Sequence, residues 1–450
     1  ALYPDVYSIQ TRDGSVKRIL IALVILIVVA AGGFFAFALR HSEIAAIEPP
    51  QAGSFAAEQV EKGELLAGIG DCAVCHTAPG GQPLAGGLAL PTPFGTIHST
   101  NITPDPETGI GAWSADAFRR AMHEGIDRQG GYLYPAFPYD HFTKVSDEDL
   151  DAVYAYLMSQ PPVKAEPKPN GLAFPFNQRI LLAGWNLLFL DDKRFAPDPS
   201  KSEAWNRGAY LAEGLGHCGA CHPPRNALGA VDSGRHFSGG EAEGWHAPAL
   251  NAASPAPLPW TEDALVNYFL DGWDGDHGVA AGPMTPVVNH LANIPEEDAY
   301  ALAEYLTSFQ NQADAEKRTA DAKAFADERD FGGATTPAAG PPSQQDAALQ
   351  GGQATFVKIC ANCHRSGTET ASMTFYSSVN GPDPRNVIHV IQDGIKPPEN
   401  SADHGMPPLG GGLSDEDMTN LVTFVRAHFS KQPAWPDVAA KVKEVRGAKE

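Results

Sequence analysis

All six cysteines of this 450-residue chain fall in three copies of one pentapeptide. The copies read Cys72-Ala-Val-Cys75-His76, Cys218-Gly-Ala-Cys221-His222 and Cys360-Ala-Asn-Cys363-His364. C-x-x-C-H is the attachment signature of a c-type haem. Two thiols add to the two vinyl groups of one porphyrin, and the adjacent His reaches the iron as proximal ligand. The pattern predicts three covalent haem c groups on Cys72, Cys75, Cys218, Cys221, Cys360 and Cys363, with His76, His222 and His364 on iron. A redox dithiol or half of a zinc site also uses C-x-x-C. Neither accounts for a His after the second Cys three times over, and no Cys is left to complete a zinc site.

The length fits about three domains at roughly 150 residues each, in step with the motif count. The net charge of −22 argues against nucleic-acid binding. The acidic residues are spread along the chain, as on a solvated surface.

Residues 19–39 are 21 consecutive uncharged, mostly apolar residues, and about 20 such residues at ~1.5 Å each cross a ~30 Å hydrocarbon core. Arg12, Lys17 and Arg18 precede the run, whereas only Arg40 follows closely, with Glu43 and Glu48 beyond it. The excess of positive charge before the run places the N-terminus in the cytoplasm and the rest outside. A cleaved signal peptide ending at Ala36-Phe37-Ala38 is the competing reading, but its apolar core is ordinarily only about 7–15 residues long. An uncleaved anchor is expected.

A fixed order of parts then recurs. A leading helix runs into each haem motif, from Glu61, Asn206 and Gln350. A middle helix ends at Gly125, Gly272 and Gly394, with Ser114 and Thr261 as N-caps in the first two copies. A closing helix begins at Ser146, Pro295 and Ser414, with acidic residues in its first turn where the helix dipole favours them. Apolar residues recur at helical spacing in it, as at Leu150, Val153, Tyr154 and Leu157. The expectation is an all-α protein: three class I cytochrome c domains in tandem behind a transmembrane helix. The boundaries are 1–18 cytoplasmic, 19–39 anchor, 40–165 first domain, 166–200 apolar interdomain segment, 201–312 second domain, 313–345 linker and 346–450 third domain with its tail. The Gly/Pro/Ser-rich stretch from Gly332 reads as an extended spacer. Residues 171–190 are apolar but Pro-broken, and suit packing between domains, a membrane surface or a docking partner.

Each iron needs a second axial ligand, ordinarily from the loop before the closing helix. Met284, in Gly282-Pro-Met284-Thr-Pro, and Met406, in His404-Gly-Met406-Pro-Pro, occupy that loop in the second and third copies. The first copy reads Tyr134-Pro-Ala-Phe137-Pro-Tyr-Asp-His141-Phe-Thr-Lys-Val145, without Met. His141 is the distal ligand expected there; failing it, Met122, His123 or an open position completes the site.

These motifs, with Thr92-Pro-Phe-Gly-Thr-Ile-His-Ser-Thr-Asn101-Ile-Thr-Pro-Asp-Pro-Glu-Thr-Gly-Ile-Gly111, Tyr134-Pro-Ala-Phe137-Pro-Tyr139 and Trp205-Asn-Arg-Gly-Ala-Tyr210, resemble the three-haem cytochrome c subunits of bacterial membrane-bound dehydrogenases over roughly residues 55–430. The resemblance implies periplasmic haem domains at the inner membrane and electron transfer from a catalytic subunit to ubiquinone. It implies a molybdopterin aldehyde dehydrogenase with a small iron–sulfur subunit as partner; a quinoprotein alcohol dehydrogenase or a flavoprotein sugar or gluconate dehydrogenase is the alternative. Relatives often carry Met at the position of Phe137. No nucleotide motif or nucleophile constellation suggests substrate chemistry in this chain. An autonomous haem enzyme and a haem subunit of a terminal oxidase are the readings from other classes.

Overall fold

The computed structural model describes residues 12–329, 344–365, 368 and 370–447. Among these, the leading helices are Ala57–Ile69, Glu203–Glu213 and Gln344–Ile359; the middle helices are Ala115–Glu124, Glu262–Leu270 and Arg385–Asp393; the closing helices are Asp147–Ser159, Glu296–Thr307 and Asp415–Phe429. The leading helices start earlier than the sequence suggested. The residues added, such as Glu58-Gln59, Glu203 and Gln344-Gln345-Asp346, mix polar with apolar ones and show no clear apolar periodicity to reveal a helix.

Local chemistry sets the helix ends. The side chains of Ser114, Ser146 and Thr261 accept from the backbone N–H three residues on, at Ala117, Asp149 and Ala264. Ser414 and Asp417 form a reciprocal capping box. Gly125, Gly272 and Gly394 leave their helices at φ of 64°, 75° and 74°, a conformation that costs glycine little.

Leading and closing helices cross in the same way three times. A Cβ on Gly63 would lie 1.9 Å from the Ala152 carbonyl oxygen, on Gly208 1.9 Å from that of Ala301, and on Gly352 2.1 Å from that of Asn420. The backbones touch at these points because the glycines have no side chain. One turn further along each closing helix, Tyr156, Tyr305 and Phe424 pack against the same glycine.

The first two units share one continuous core, running from Leu66, Phe118 and Leu150 through Leu211, Leu265 and Tyr305. The third has its own, around Phe356, Ile388, Met418 and Val422. Helix Ala315–Arg329 opens the stretch expected to be a linker. It joins the second and third units through Ala322 and Ala326, packed with Leu258 and Phe375. The spacer from Gly332 to Pro342 lies outside the described residues.

The all-α expectation needs correcting. A three-stranded antiparallel sheet pairs Ala89–Thr92 with Gly95–His98 and that strand with Gly171–Leu172, and two short hairpins occur in the second unit. The first hairpin turns at Thr92-Pro-Phe-Gly95, where Thr92 Oγ1 donates to the Gly95 carbonyl at 2.6 Å and accepts from Phe94 N–H at 3.1 Å. Pro93 and a Gly at φ 122° hold a tight turn that helix periodicity does not reveal.

The apolar run near the N-terminus is one helix, Arg12–Ala38. Its Val16–Ala38 portion, with mean hydropathy 3.0, is the one helix among the described residues long and apolar enough to cross a membrane. Its end docks on the first unit: Ala38 is buried with Ile126, Tyr132 and Ala183. The apolar segment 171–190 supplies one strand and helix Leu182–Phe189, both packed on the first unit.

Candidate haem sites

Each pentapeptide follows closely on a leading helix and makes a tight turn. Asp71 and His217, the residues before the first Cys of the first two copies, take left-handed φ values of 50° and 33°. His76, His222 and His364 each donate a backbone N–H to the carbonyl of the first Cys of their motif, at 3.0–3.1 Å. The turn thereby places two thiols and one imidazole on a single loop.

The donor set fits a covalent haem. His76 Nδ1 lies 2.6 Å from the Thr100 carbonyl oxygen and His222 Nδ1 lies 2.8 Å from that of Pro248. With Nδ1–H donating to a carbonyl, Nε2 keeps its lone pair for iron. Burial lowers the affinity of His76, His222 and His364 for protons, favouring the neutral, ligating imidazole. His364 Nδ1 is buried with no hydrogen-bond partner among the described residues. All six cysteines are free of disulfides. Burial pushes Cys72 and Cys218 up to about 12 and Cys75 and Cys360 up to about 11. A redox dithiol works through a lowered thiol pKa, opposite to the direction at these four cysteines.

Met284 and Met406 are half-buried, whereas Met122, Met158 and Met418 are packed in the cores. Met284 opens helix Met284–Leu291, and Met406 pairs with Ile395 through two backbone hydrogen bonds of 2.8 and 3.0 Å. Both stand twelve residues beyond the glycine that ends the middle helix, Gly272 and Gly394; the residue twelve beyond Gly125 is Phe137. The loops of the first two units share a backbone hydrogen bond in this register. Leu133 N–H donates to Gly125 O and Ala280 N–H to Gly272 O, at 2.7 and 2.9 Å, each eight residues past the glycine. Phe137 therefore holds the place of the methionine, its ring 5.4 Å from Phe142 and 6.2 Å from Tyr139.

The structure sets His141 beside the second motif. Its Nδ1 lies 3.2 Å from the Glu213 carbonyl oxygen, and its Cε1 edge faces the second motif, 2.8 Å from where a Cβ on Gly219 would stand. Burial lowers its pKa to about 4. His141 and His290 both lie five residues before the start of a closing helix, and they play matching parts. His290 Nδ1 pairs with Asp71 at 2.5 Å, so each imidazole reaches across to the other unit's haem loop. That cross-contact is invisible in the spacing. Met122 and His123 have structural parts instead: Met122 is in the core, and His123 Nε2 lies 3.0 Å from Val145 O.

Sequence reading missed Glu213, at the end of the second leading helix. Its half-buried carboxylate accepts from Lys144 of the first unit at 2.8 Å, His236 at 2.7 Å and Tyr305 at 2.8 Å. Burial alone would raise its pKa, but the His236 hydrogen bond and the Lys144 charge outweigh that and hold it well below the usual carboxylate range. Such a group adds stability above its unfolded value of about 4.3, and the gain is lost as pH falls through the folded value. Glu213→Gln is expected to cost about 2–3 kcal/mol at pH 7. In denaturant titrations the gap from the unsubstituted protein should narrow as the pH drops below about 4; a pH-independent gap would contradict the ionic role.

Between the second and third units the contacts are both aromatic and polar. Trp245 stacks on His389 with centroids 4.6 Å apart and Trp273 on His404 at 3.7 Å. Asn386 exchanges two 2.8 Å hydrogen bonds with the backbone of His246, and Arg385 pairs with Asp383 at 2.8 Å and with Glu241. His404 is two residues from Met406, and Trp245 packs on Gly282, two residues from Met284. The two methionine loops thus meet the interface between the units.

Helix pairs crossing at glycine, C-x-x-C-H turns of which two have carbonyl-fixed imidazoles, and half-buried methionines twelve residues past the glycines that end the middle helices define a c-type cytochrome, which carries covalent haem c. Residues 60–161 match the cytochrome c family and residues 347–425 match the family described as cytochrome c oxidase, cbb3-type, subunit III. A nicotinate dehydrogenase subunit of Pseudomonas putida is 46% identical over 93% of this chain, but the match spans only 34% of that protein's length. The gluconate 2-dehydrogenase cytochrome c subunit of Pantoea cypripedii is 37% identical, with 82% of this chain and 85% of the relative covered. The fructose dehydrogenase cytochrome subunit of Gluconobacter japonicus is 33% identical, with 86% and 82% covered. The chain belongs to the family of cytochrome c subunits of membrane-bound dehydrogenases, whose work is electron transfer.

Proposed function

We propose that this chain is a three-haem conductor carrying electrons from a separate periplasmic dehydrogenase to ubiquinone in the inner membrane. The observation that carries the reading is the threefold recurrence of a C-x-x-C-H turn after a helix that crosses its partner at glycine. Haem c, when bound, supplies reversible one-electron chemistry. Cys72 and Cys75, Cys218 and Cys221, and Cys360 and Cys363 hold the three groups. His76, His222 and His364 are the proximal ligands. Met284 and Met406 are the distal ligands of the second and third. The first has no thioether, since Phe137 stands where the Met would be.

The three units are three cytochrome c domains in tandem, the first two fused by their common core. Helix Val16–Ala38 is the membrane anchor. Lys17 and Arg18 before it, against Arg40 alone just after it, support a cytoplasmic N-terminus with the haem units in the periplasm. The partner proposed is a molybdopterin dehydrogenase with an iron–sulfur subunit, oxidising an aldehyde or, by likeness to the Pseudomonas putida protein, nicotinate. The gluconate, fructose and alcohol dehydrogenase relatives keep flavoprotein and quinoprotein partners as the second reading.

Purification of the native complex through a tag on this chain tests both levels. Three haems per chain that survive denaturing gels, molybdenum near one per complex, and haem that is reduced by substrate and reoxidised by a soluble ubiquinone are expected. Flavin, or calcium with a bound quinone cofactor, would replace the partner assignment. Oxidation of the substrate by the isolated chain would end the conductor reading.

A further inference from the structure

We propose that the segment from Ala173 to Leu190 is a second membrane contact, a short helix lying along the bilayer surface against phospholipid beside the outer end of the anchor. The inference rests on the reading of Val16–Ala38 as a membrane span and extends it. Its ground is where helix Leu182–Phe189 touches the anchor. The Phe34 ring lies 3.7 Å from where a Cβ on Gly184 would stand, and Phe34, Phe37 and Ala38 cluster with Ile180, Leu182 and Ala183. Phe34 is inside the uncharged run, five residues short of its end at Leu39. At 1.5 Å per residue that is about 7 Å below the end of the span. A helix that meets Phe34 from the side sits at the depth to which surface-lying helices bury their apolar face, about 5–10 Å.

The side chains of this segment divide accordingly. Ala183 is fully buried, Trp185 Nε1 donates to Leu228 O at 3.1 Å, and Asn186 accepts from the Tyr139 hydroxyl at 2.7 Å and donates to Glu124 O at 2.9 Å. That face is fixed on the protein. Leu181, Gly184, Leu187 and Leu188 recur at helical spacing on the other, where Leu187 and Leu188 are each 68% exposed. Phe174, 80% exposed, and Phe176 continue the surface, and Phe176 rests on Phe94 at the hairpin turn with centroids 4.6 Å apart. Large apolar side chains left this exposed on one short segment mark an interaction surface. Lipid covers it because the anchor holds it at membrane depth. Asp191, Asp192 and Lys193 follow at once, returning the chain to water.

The test uses the full-length, haem-loaded chain in vesicles of phosphatidylethanolamine and phosphatidylglycerol. A nitroxide is placed singly at Leu187→Cys, Phe174→Cys, Leu26→Cys in the anchor and Lys317→Cys on an exposed helix; the native cysteines are held in thioethers. Collisions with oxygen, which partitions into lipid, are compared with those of a water-soluble nickel chelate. Oxygen-favoured collisions at 187, 174 and 26, with nickel favoured at 317, are expected. Nickel-favoured labels at 187 and 174 with 26 still in lipid would overturn the inference and leave the span intact. Labels at 187 and 174 shielded from both reagents would overturn it in favour of a protein cover. A nickel-accessible label at 26 would remove the span and the inference together.

Discussion

Valine at Gly208 is expected to strip the second unit of its haem and to destabilise the first two units together. A Cβ at this position would stand 1.9 Å from the Ala301 carbonyl oxygen and 2.9 Å from Tyr305 Cβ. The nearest obstacle is backbone in the middle of a helix, so no side-chain rotation relieves it. The helices must separate, at a cost of about 3 kcal/mol or more, a large part of the ~5–15 kcal/mol that keeps a domain folded. Leu211 and Leu215, on and just after the same leading helix, belong to the core common to both units, so the damage does not stop at one motif. Gly411→Ala is the control, since nothing lies within 4 Å of a Cβ there. Haem content per chain and the thermal midpoint check the pair. A Gly208→Val protein with three haems and an unmoved midpoint would refute the crossing.

The second large effect is spectroscopic. Two of the three haems are expected to show the near-infrared charge-transfer band of thioether-ligated ferric iron. Met284→Leu and Met406→Leu should each remove half of that band, and the double variant all of it. Each loss should lower the potential of the haem concerned, because a His/Met pair raises it. His141→Ala is expected to leave the haem spectra unchanged and to weaken the contact between the first two units. In this structure its ring is held against Glu213 O and Gly219 of the second unit. Loss of a bis-imidazole magnetic signal in His141→Ala would mean that the ring leaves this contact for the first iron. A band of three-haem intensity would contradict the register that sets Phe137 opposite Met284.

Much of this protein is written in local pattern, because the chemistry concerned is local. A C-x-x-C-H turn brings two thiols and an imidazole together within five residues. The capping serines at 114, 146 and 414 act on backbone groups three residues away. The glycines at 125, 272 and 394 end helices by their own backbone freedom. Twenty-one uncharged residues have the length and composition of a membrane helix whatever surrounds them. The methionine register was also there to be read, twelve residues from each helix-ending glycine, and counting back instead from the closing helix concealed it.

What the tertiary structure decided are the pairings between residues far apart in the chain. Nothing within ten residues of Gly208 announces that Ala301 will pass beneath it, or that Glu213 will gather Lys144, His236 and Tyr305. His141 and His290 are interchangeable by local spacing with a haem ligand. Only the packing of the first unit on the second shows each imidazole spent on its neighbour's loop. The apolar stretch 171–190 has one composition and two faces. Which face lies on protein and which remains bare was settled by Ala183, Trp185 and Asn186 meeting partners such as Glu124, Tyr139 and Leu228, far away in the chain. Short-range sequence carries bond geometry and helix propensity; the meeting of distant surfaces depends on how whole helices fill one another's grooves, and that information is spread over the entire core.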